Sequence, residues 1–432
     1  MAIDKKYLTN RVTGEIGQAS AIHFPKTRQE VVKIIQEVRD NQQKLITIGA
    51  HTGLSGATFP DDNQVLMSLE KLNKIVKLDI ETQTLTVEAG VTIAEISNFL
   101  ADTPYFYAPD PGSKAASIGG NAATNAGGMR AVKYGVTRDN IRGMRVVLAD
   151  SSEIQVGSIN RKDSSGYDLK DIFIGSEGTL GVITDLDLKI QPKPQFTRDI
   201  LLGFESLTSL APKVFEILSS GLVPATLEFF ERDSIAFSER ALGLAFPKIV
   251  GQAFLLITLD GNDSVQLDKE LTYLTTLSEH ALVLTKETRE NVWQLRGAIV
   301  SSVELETIQE PLDVVVPINS VAPTILALKK MAKAEALSAI FFGHAGDGNI
   351  HANILKNQLT DEEWIGKLNK YLDQLYAYIA KVGGKPSAEH GIGILKKKYF
   401  QNYIGKNELS AMKRLKSVFD PTSLLNPGKI FD

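Results

Sequence analysis

The chain has 432 residues, a hydrophobic share of 43% and a formal net charge of −4 at pH 7. This length exceeds the size at which a single core stops growing, so it predicts two domains, while the weak negative charge lacks the basic footprint of a nucleic-acid-binding protein. Because the chain has no cysteine, disulfides, thiolate metal sites, cysteine-ligated iron–sulfur clusters and a cysteinyl-linked cofactor are excluded.

The sequence pattern carries no membrane signal. No run of residues approaches the roughly 18 consecutive apolar residues of a transmembrane helix, and the opening Met-Ala-Ile-Asp-Lys-Lys lacks the apolar core of a signal peptide. We therefore expect a cytoplasmic protein without an integral membrane segment. Peripheral attachment at the inner face of the membrane stays open.

The first elements predict helix and strand in alternation. A capping box from Thr27 to Glu30 opens an amphipathic helix, and the next strand, at 44–48, runs into the glycine-rich loop 49–56. Such a loop presents backbone N–H groups to an anion. It is neither Gly-x-Gly-x-x-Gly nor a P-loop, so it supports neither a Rossmann domain nor an NTPase. Three strands and a second capping box follow, at residues 65–69, 74–79, 84–88 and 92–95.

The most glycine-dense stretch is 109–128. So many small residues indicate close backbone approach to a large flat or phosphorylated ligand; a disordered linker is the alternative. A hairpin of strands 142–148 and 153–156 comes next, and the glycine loop 174–181 then leads into a strand at 182–190. The composition changes near Pro192, which predicts a domain boundary there.

The second half centres on an Asp-Gly turn signal between two histidines. With Asp347 and Gly348 as a two-residue hairpin loop, His344 and His351 are directly opposed, with Cβ atoms about 4.5–5.5 Å apart. Asn353 shares their face. Glu389 offers a carboxylate, and a His, His, Glu set suits Zn²⁺ with an open position for substrate. The alternative is a histidine pair that is only hydrogen-bonded.

With these features in view, the chain resembles the vanillyl-alcohol-oxidase-type FAD flavoproteins. It is most similar to their D-2-hydroxyacid dehydrogenase branch, which includes D-lactate, glycolate and D-2-hydroxyglutarate dehydrogenases. The resemblance runs from about residue 24 to the end. Its motifs occur in family order: Pro-Asp-Pro-Gly-Ser, Ile-Gly-Gly-Asn, Asn-Ala-Gly-Gly, Gly-Ser-Glu-Gly-Thr-Leu-Gly, His-Ala-Gly-Asp-Gly-Asn-Ile-His, Glu-His-Gly and Leu-Asn-Pro-Gly-Lys.

The resemblance implies an α+β fold with a two-subdomain PCMH-type FAD-binding domain and a cap domain built on an antiparallel sheet with helices. The expected boundaries are 1–195 for the FAD domain, 196–415 for the cap and 416–432 for a segment that returns to the FAD domain. The cofactors implied are FAD and a divalent metal, Zn first and Mn or Fe as alternatives. The partners are a 2-hydroxyacid and an external electron acceptor (a quinone, flavoprotein or cytochrome), with a homodimer left open.

The resemblance also assigns residues. FAD is expected at Gly49, Ala50, His51, Thr52, Gly53, Ser55, Gly56, Pro111, Gly112, Ser113, Ser117, Gly119, Gly120, Asn121, Thr124, Asn125, Gly127, Gly128, Glu177, Gly178, Gly181, Ile183 and Asn426. The metal ligands are His344, His351 and Glu389, the substrate contacts are Arg296 and Asn353, and the base is His390. From its helical pattern alone, Arg296 is instead predicted to be a surface charge.

The loop 49–56 departs from the branch, because Ala50 and His51 stand where glycines are usual. Other members of the superfamily attach FAD through a histidine in a comparable loop, so covalent linkage is one interpretation. The other is that His51 donates a hydrogen bond to a phosphate.

The residue types fit oxidation of a 2-hydroxyacid. A metal lowers the pKa of the hydroxyl, a neutral imidazole accepts its proton near pH 7, and an arginine fixes the carboxylate. A small monocarboxylate, D-lactate first, is expected because Val300 and Pro311 stand where relatives that act on D-2-hydroxyglutarate carry a threonine and a lysine. The alternatives are an oxidase that reduces O₂, a zinc hydrolase without flavin, and a non-catalytic flavin-binding subunit.

Overall fold

The structure is a computed structural model that describes residues 3–431. The strands are β1 (Ala19–His23), β2 (Leu45–Ile48), β3 (Asn63–Ser68), β4 (Ile75–Asp79), β5 (Thr84–Glu88), β6 (Tyr105–Phe106), β7 (Ile141–Val147), β8 (Glu153–Gly157), β9 (Val182–Lys189), β10 (Gln191–Pro192), β11 (Phe196–Phe204), β12 (Thr226–Glu231), β13 (Ala253–Gly261), β14 (His280–Val283), β15 (Gln309–Val315), β16 (Ser338–His344) and β17 (Asn349–Leu355).

The α-helices are α1 (Arg28–Asp40), α2 (Ile93–Phe99), α3 (Ile118–Thr124), α4 (Ala131–Tyr134), α5 (Lys170–Phe173), α6 (Leu207–Ser219), α7 (Arg232–Leu242), α8 (Ser264–Thr275), α9 (Lys286–Gly297), α10 (Ile299–Glu306), α11 (Val321–Ala334), α12 (Asp361–Lys381), α13 (Lys397–Tyr403) and α14 (Lys406–Phe419). Short 3-10 helices occupy Lys5–Tyr7, Leu69–Lys71, Thr137–Asn140 and Ile318–Ser320. Among residues 3–431, no helix is both long and apolar enough to cross a membrane.

The chain divides into two compact units. The first takes in the chain up to Gly128, then Gly135–Lys193, then the chain from Glu389 onward. The second consists of Met129–Tyr134 and Pro194–Ala388.

The first unit contains a parallel sheet of order β1-β3-β2, a five-stranded antiparallel sheet of order β4-β5-β9-β7-β8, and a small β10-β6 pair. Helix α1 buries Val31 and Ile35, which pack with Leu45 and Val65 of the parallel sheet in one hydrophobic core. The same core continues under the antiparallel sheet and includes Leu425 near the end of the chain. Burial of this apolar surface is the main favourable term that holds the unit together.

The second unit is built on one antiparallel sheet of seven strands, in the order β14-β11-β13-β12-β16-β17-β15. Phe230, Phe254 and Leu256 are fully buried on it in a core with helices α9 and α10. Helix α4 joins this unit, because Lys133 and Tyr134 both bond to the carboxylate of Asp260. The α+β class and the antiparallel sheet with helices are as predicted.

Local predictions in the first unit are mostly confirmed. Strand β5 has its predicted bounds, the β7–β8 hairpin forms, and the capping box at Thr92 is complete. The first capping box is only half formed. Thr27 does cap α1 by accepting from the N–H of Glu30, but the Glu30 carboxylate accepts from the N–H of Lys26 instead of that of Thr27.

The predicted register of the histidine hairpin is wrong. His344 lies opposite Asn349, and His351 lies opposite Phe342, so the loop between the strands has four residues, 345–348. The physical reason is competition from the neighbouring strand: the N–H of Ala345 bonds to the carbonyl of Leu227 at 2.8 Å instead of continuing the hairpin ladder. The two histidines are therefore diagonal neighbours, which are still within reach of each other's rings.

Candidate active site

A cleft in the first unit collects most of the residues expected to bind FAD. It has about 920 Å³ of empty space, counting its solvent-open mouth. The expected residues that line it are Gly49, Ala50, His51, Thr52, Gly53, Ser55, Ser117, Gly119, Gly120, Asn121, Thr124, Glu177, Gly178, Gly181, Ile183 and Asn426. The lining residues that the sequence did not suggest are Thr47, Ala57, Thr58, Leu69, Ala89, Ala123 and Val182. We call this the glycine cleft.

The cleft depends on close packing between its loops. A Cβ at Gly49 would lie 2.4 Å from Ser117 Oγ, and the N–H of Ala50 donates to the same oxygen at 3.1 Å. Ser117 caps helix α3, so this one hydroxyl joins the loop 49–56 to the start of the helix. A Cβ at Gly119 would lie 2.6 Å from the Cβ of Ala89. Some of the glycines therefore serve contact between backbone segments.

The remaining expected FAD residues do not line this cleft. They are Gly56, Pro111, Gly112, Ser113, Asn125, Gly127 and Gly128. A Cβ at Gly56 would meet Ile394, and one at Gly128 would meet the carbonyl of Asp110 at 2.2 Å. The side chain of Asn125 accepts from the N–H of Arg138.

His51 adopts a left-handed backbone conformation, with φ of 56°. Its Nε2 lies 3.1 Å from the carbonyl of Thr9, and its Nδ1 lies 3.0 Å from the hydroxyl of Thr58. Because a carbonyl only accepts, Nε2 carries the hydrogen and Nδ1 accepts from Thr58. Burial lowers the pKa of His51. Both ring nitrogens are thus engaged within the protein, whereas the sequence suggested that one would donate to a phosphate.

Asn426 and Glu177 close another side of the glycine cleft. The Asn426 side chain accepts from the N–H of Thr47 at 2.9 Å and donates to the carbonyl of Glu177 at 2.8 Å. A Cβ at Gly178 would lie 2.9 Å from Asn426 Nδ2, so a glycine is required at this approach. Asn426 thereby fixes the loop 174–181 against strand β2.

A cluster of charged side chains lies on the sheet of the second unit: Glu228, Arg296, His344 and His351. Glu228 Oε2 accepts from Arg296 Nη2 at 2.6 Å, and Glu228 Oε1 accepts from His344 Nδ1 at 2.7 Å. The Glu228 side chain is fully buried and that of Arg296 is 7% exposed. The prediction of Arg296 as a surface charge is therefore wrong. We call these four residues the charged cluster.

Glu228 sets the hydrogen positions of the charged cluster. Since the carboxylate accepts from His344 Nδ1, the lone pair of that ring is on Nε2. His344 Nε2 lies 3.5 Å from His351 Nε2. Two nitrogens bound to one Zn²⁺ at tetrahedral angles lie roughly 3.4 Å apart. The contact between the two imidazoles is a hydrogen bond when His351 Nε2 carries a hydrogen, and its length is also close to the spacing of two nitrogens bound to one metal ion.

Polar residues beside the cluster are tied together by buried hydrogen bonds. Asp313, which is fully buried, accepts from Asn349 Nδ2 at 2.9 Å and from Ser387 Oγ at 2.9 Å. Asn353 Nδ2 donates to Gln309 Oε1 at 2.5 Å, and Gln309 in turn donates to the carbonyl of Val300. These bonds restrict the side chains that face the cluster.

Glu228 and Gln309 were missed by sequence reasoning. The signal for Glu228 was a carboxylate inside an apolar strand, Thr-Leu-Glu-Phe-Phe-Glu, since an acidic residue is rarely buried without a partner. For Gln309 no such signal exists, because a glutamine at the start of a strand is ordinary.

Glu389 and His390 lie in the first unit. The Glu389 carboxylate packs beside Gly127, where a Cβ would lie 2.8 Å from Glu389 Oε2. His390 Nε2 lies 3.7 Å from Glu389 Oε1. Ala388, directly before Glu389 in the chain, belongs to the second unit and donates its N–H to Asp313 at 3.1 Å.

Comparison with known families gives two matches. Residues 193–430 match the family described as FAD linked oxidases, C-terminal domain, and residues 19–157 match the FAD binding domain. The chain belongs to the FAD-linked oxidases. Its predicted place among vanillyl-alcohol-oxidase-type flavoproteins, in the branch that includes the D-2-hydroxyacid dehydrogenases, is confirmed by the relatives that follow.

These FAD-linked relatives match over most of their length. D-lactate dehydrogenase from Anaerostipes hadrus is 37% identical over 93% of this chain and 87% of the relative. Glycolate oxidase subunit GlcD from Bacillus subtilis is 32% identical over 95% and 88%, and D-2-hydroxyglutarate dehydrogenase from Stutzerimonas stutzeri is 30% identical over 95% and 91%. The solved structure of p-cresol methylhydroxylase, at 18% identity, covers 99% of this chain and 92% of its own with a TM-score of 0.78, which shows the shared fold.

The glycine cleft of this FAD-linked oxidase fits the cofactor of its family. Thr47 Oγ1 and Asn121 Nδ2 line the cleft and are buried without a hydrogen-bond partner among residues 3–431. Buried polar atoms normally have partners, so these two await hydrogen bonds from a bound group. A Cβ at Gly53 would meet no protein atom within 4 Å, which leaves its backbone open to the cleft.

Proposed function

We propose that this protein oxidises a small D-2-hydroxy monocarboxylate, D-lactate first, to the 2-oxoacid, with FAD as cofactor and with metal assistance. An external quinone, flavoprotein or cytochrome then takes the electrons. The proposal joins the glycine cleft, the charged cluster and the Glu389-His390 pair in one reaction. The observation that carries it is the state of Arg296.

Arg296 is a buried cation with one donor unused. Its Nη2 is held by Glu228, but its Nε is buried without a hydrogen-bond partner among residues 3–431. The guanidinium lies over the ring of Phe342, 4.9 Å from the centroid, and that ring is stacked with His351. A buried unpartnered N–H is unfavourable by about 1–3 kcal/mol. A substrate carboxylate would satisfy it through a charge-assisted hydrogen bond and would hold the substrate beside the two histidines.

The metal site proposed here consists of His344, His351 and Glu389. The first two present converging nitrogens, and Glu228 fixes the tautomer of His344 as a carboxylate does for many metal-bound histidines. Glu389 follows Ala388, which Asp313 holds through its N–H, so the chain enters Glu389 from an anchored position. Nitrogen and carboxylate ligands of this kind suit Zn²⁺, with Mn²⁺ or Fe²⁺ as alternatives.

His390 is proposed as the base that takes the hydroxyl proton of the substrate, and Asn353 as a second substrate contact. When bound, FAD and the divalent cation supply, respectively, hydride acceptance and polarisation of the substrate hydroxyl. Arg296 would fix the carboxylate and thereby orient the substrate, and His390 would take the proton of the hydroxyl. Asn353 donates an N–H to Gln309, and this hydrogen bond fixes the orientation of the Asn353 amide.

The preference for a monocarboxylate rests on Val300 and Pro311. Val300 packs against the apolar core that includes Val292 and Ile299, and Pro311 pairs with Asn353 in the sheet. Neither side chain can pair with a second carboxylate. Bringing an unpaired carboxylate into a closed site costs several kcal/mol. The similarity to D-lactate dehydrogenase from Anaerostipes hadrus points the same way.

The decisive experiment is anaerobic bleaching of the bound flavin by D-lactate, L-lactate, glycolate and D-2-hydroxyglutarate, followed by kcat/KM with an artificial electron acceptor. We expect D-lactate to give the highest kcat/KM and L-lactate to give no bleaching. A clear preference for D-2-hydroxyglutarate would contradict the monocarboxylate proposal. Stoichiometric peroxide formed in air during turnover would show an oxidase instead of a dehydrogenase.

A further inference from the structure

The carboxylate of Glu177 has a task that the proposed reaction leaves unassigned. Glu177 is 5% exposed and has a left-handed backbone, with φ of 51°. Its Oε1 accepts from the N–H of Ile392 at 2.7 Å, and its Oε2 accepts from the N–H of Gly393 at 2.8 Å. The carboxylate therefore binds the backbone of the segment that directly follows Glu389 and His390.

The same segment is also held by a loop of the glycine cleft. The carbonyl of Ser55 accepts from the N–H groups of Ile394 and Leu395, at 3.0 and 3.2 Å. A Cβ at Gly393 would lie 2.0 Å from that carbonyl, so the segment approaches as closely as a glycine allows. We call residues 391–395 the clamped segment. Two loops that line the glycine cleft hold it, one through Ser55 and one through Glu177.

Glycines allow the Glu177 contact as well. Gly391 has φ of 82°, and a Cβ there would lie 2.9 Å from Glu177 Oε1. The position therefore excludes a side chain for two reasons, its backbone conformation and the nearby carboxylate. The turn after His390 is built to place successive N–H groups on a single acidic side chain.

We propose that Glu177 is a positioning residue for Glu389 and His390, in addition to lining the glycine cleft. By fixing the clamped segment, it fixes the direction in which the preceding two side chains leave the backbone, and it links the walls of the cleft to them. This inference rests on the proposed function, which gives Glu389 and His390 their roles. A carboxylate is required because two N–H groups converge on two acceptor oxygens, whereas a glutamine offers one oxygen and an NH₂ group that cannot accept.

The test is Glu177→Gln, with Glu88→Gln as the matched control. The Glu88 carboxylate also accepts a backbone N–H in the first unit, from Lys74 at 2.7 Å, but Glu88 is not among the residues that line the glycine cleft. FAD content, kcat per bound flavin, KM for the best 2-hydroxyacid and Zn²⁺ affinity are measured for each purified protein. Because Glu177 also lines the glycine cleft, activity is expressed per bound flavin. We expect Glu177→Gln to keep its KM within about threefold, and to lose about 10–100-fold in kcat per bound flavin or in Zn²⁺ affinity. Glu88→Gln should match the wild type.

A second variant covers the case in which Glu177→Gln does not fold. Gly391→Ala pushes the clamped segment away from the carboxylate without changing a residue of the cleft, and it should give the same loss in kcat with FAD retained. The proposal is overturned if either variant loses FAD in proportion to activity while kcat per bound flavin stays at the wild-type value.

Failure of the proposed function is distinguishable from failure of this inference. If the wild type oxidises no 2-hydroxyacid, the proposed function is wrong, and hydrogen exchange of the backbone in residues 389–395 decides the inference. Exchange should rise in Glu177→Gln and stay unchanged in Glu88→Gln. Equal exchange in the wild type and Glu177→Gln would overturn it.

Discussion

The glycine cleft and the charged cluster are formed by different kinds of residue. The cleft is lined mainly by small residues and backbone of the glycine-rich segments, and its shape depends on approaches such as that of Gly49 to Ser117. The cluster is made of ionisable side chains on a sheet, held by the two oxygens of Glu228. A site of the first kind recognises a ligand by shape and backbone N–H groups, and one of the second kind by charge.

This difference predicts how each site fails. Loss of one side chain from the cleft leaves most of its backbone donors in place, whereas loss of one member of the cluster leaves a buried charge or donor without a partner. Changes at residues that only line the glycine cleft, such as Gly49, should therefore reduce FAD retention with turnover per flavin preserved. Changes in the cluster should reduce turnover with FAD retained.

The largest expected effect is loss of the metal. Chelation of the purified enzyme should abolish 2-hydroxyacid oxidation while the flavin absorbance stays with the protein, because His344 and His351 lie in the second unit and the glycine cleft in the first. His344→Ala should behave in the same way.

The matched control is His280→Ala, at a histidine on the edge strand β14 that belongs to neither site. Full activity after chelation would contradict the proposed role of the metal. Release of FAD together with the metal would contradict the independence of the two sites.

The next largest effect concerns the proposed contact of Arg296 with the substrate carboxylate. Arg296→Gln should lower kcat/KM for D-lactate by about 10²–10³-fold, because the substrate carboxylate would lose its charged partner. Removal of one partner of a buried ion pair costs about 2–5 kcal/mol. The control is Arg289→Gln on the same helix α9, because Arg289 pairs with Asp199 and its side chain is 43% exposed. That variant should stay within about threefold of the wild type. An equal loss of kcat/KM in both variants would mean that Arg296 stabilises the fold and does not bind the substrate.

A smaller effect is expected in the glycine cleft. Gly49→Ala places a Cβ against Ser117 Oγ, and overpacking of this kind costs about 1–3 kcal/mol. FAD affinity should fall by about 5–100-fold, with kcat per bound flavin near the wild-type value. Gly366→Ala, in the exposed part of helix α12 with no atom near its Cβ, is the control for a glycine change outside the cleft. A fall in kcat per flavin for Gly49→Ala would contradict the division of labour.

Predictability from sequence follows the same difference. The glycine loops could be located because each is continuous in the chain and rich in small residues, and most of the residues expected to bind FAD do line one cleft. The charged cluster joins residues on β12, α9, β16 and β17, which only the folded sheet brings together. Sequence pattern alone therefore placed Arg296 at the surface and gave no role to Glu228.

The hairpin register shows more clearly what local sequence cannot predict. An Asp-Gly pair favours a two-residue loop when the hairpin stands alone, but Ala345 is recruited by the carbonyl of Leu227 on a third strand. The local preference loses to a contact between strands more than 100 residues apart in the chain. The convergence of the two imidazoles was nevertheless predictable, since diagonal neighbours on one face still meet.

The smallest expected effect is a pH dependence that arises in the first unit. Burial lowers the pKa of His51 in the folded protein, below the value of about 6.5 for an exposed histidine. The unfolded chain therefore binds a proton first as the pH falls, so stability is intact above about pH 7 and decreases as the pH falls through about 6.5. We expect the Tm of the wild type to drop more between pH 7.5 and 5.5 than the Tm of His51→Asn, a residue that also accepts a left-handed backbone. All other groups titrate alike in the two proteins, so the difference between the two Tm curves isolates His51. Parallel curves would show that His51 is as easily protonated in the folded state as in the unfolded state, and that its burial does not hold it in the neutral form.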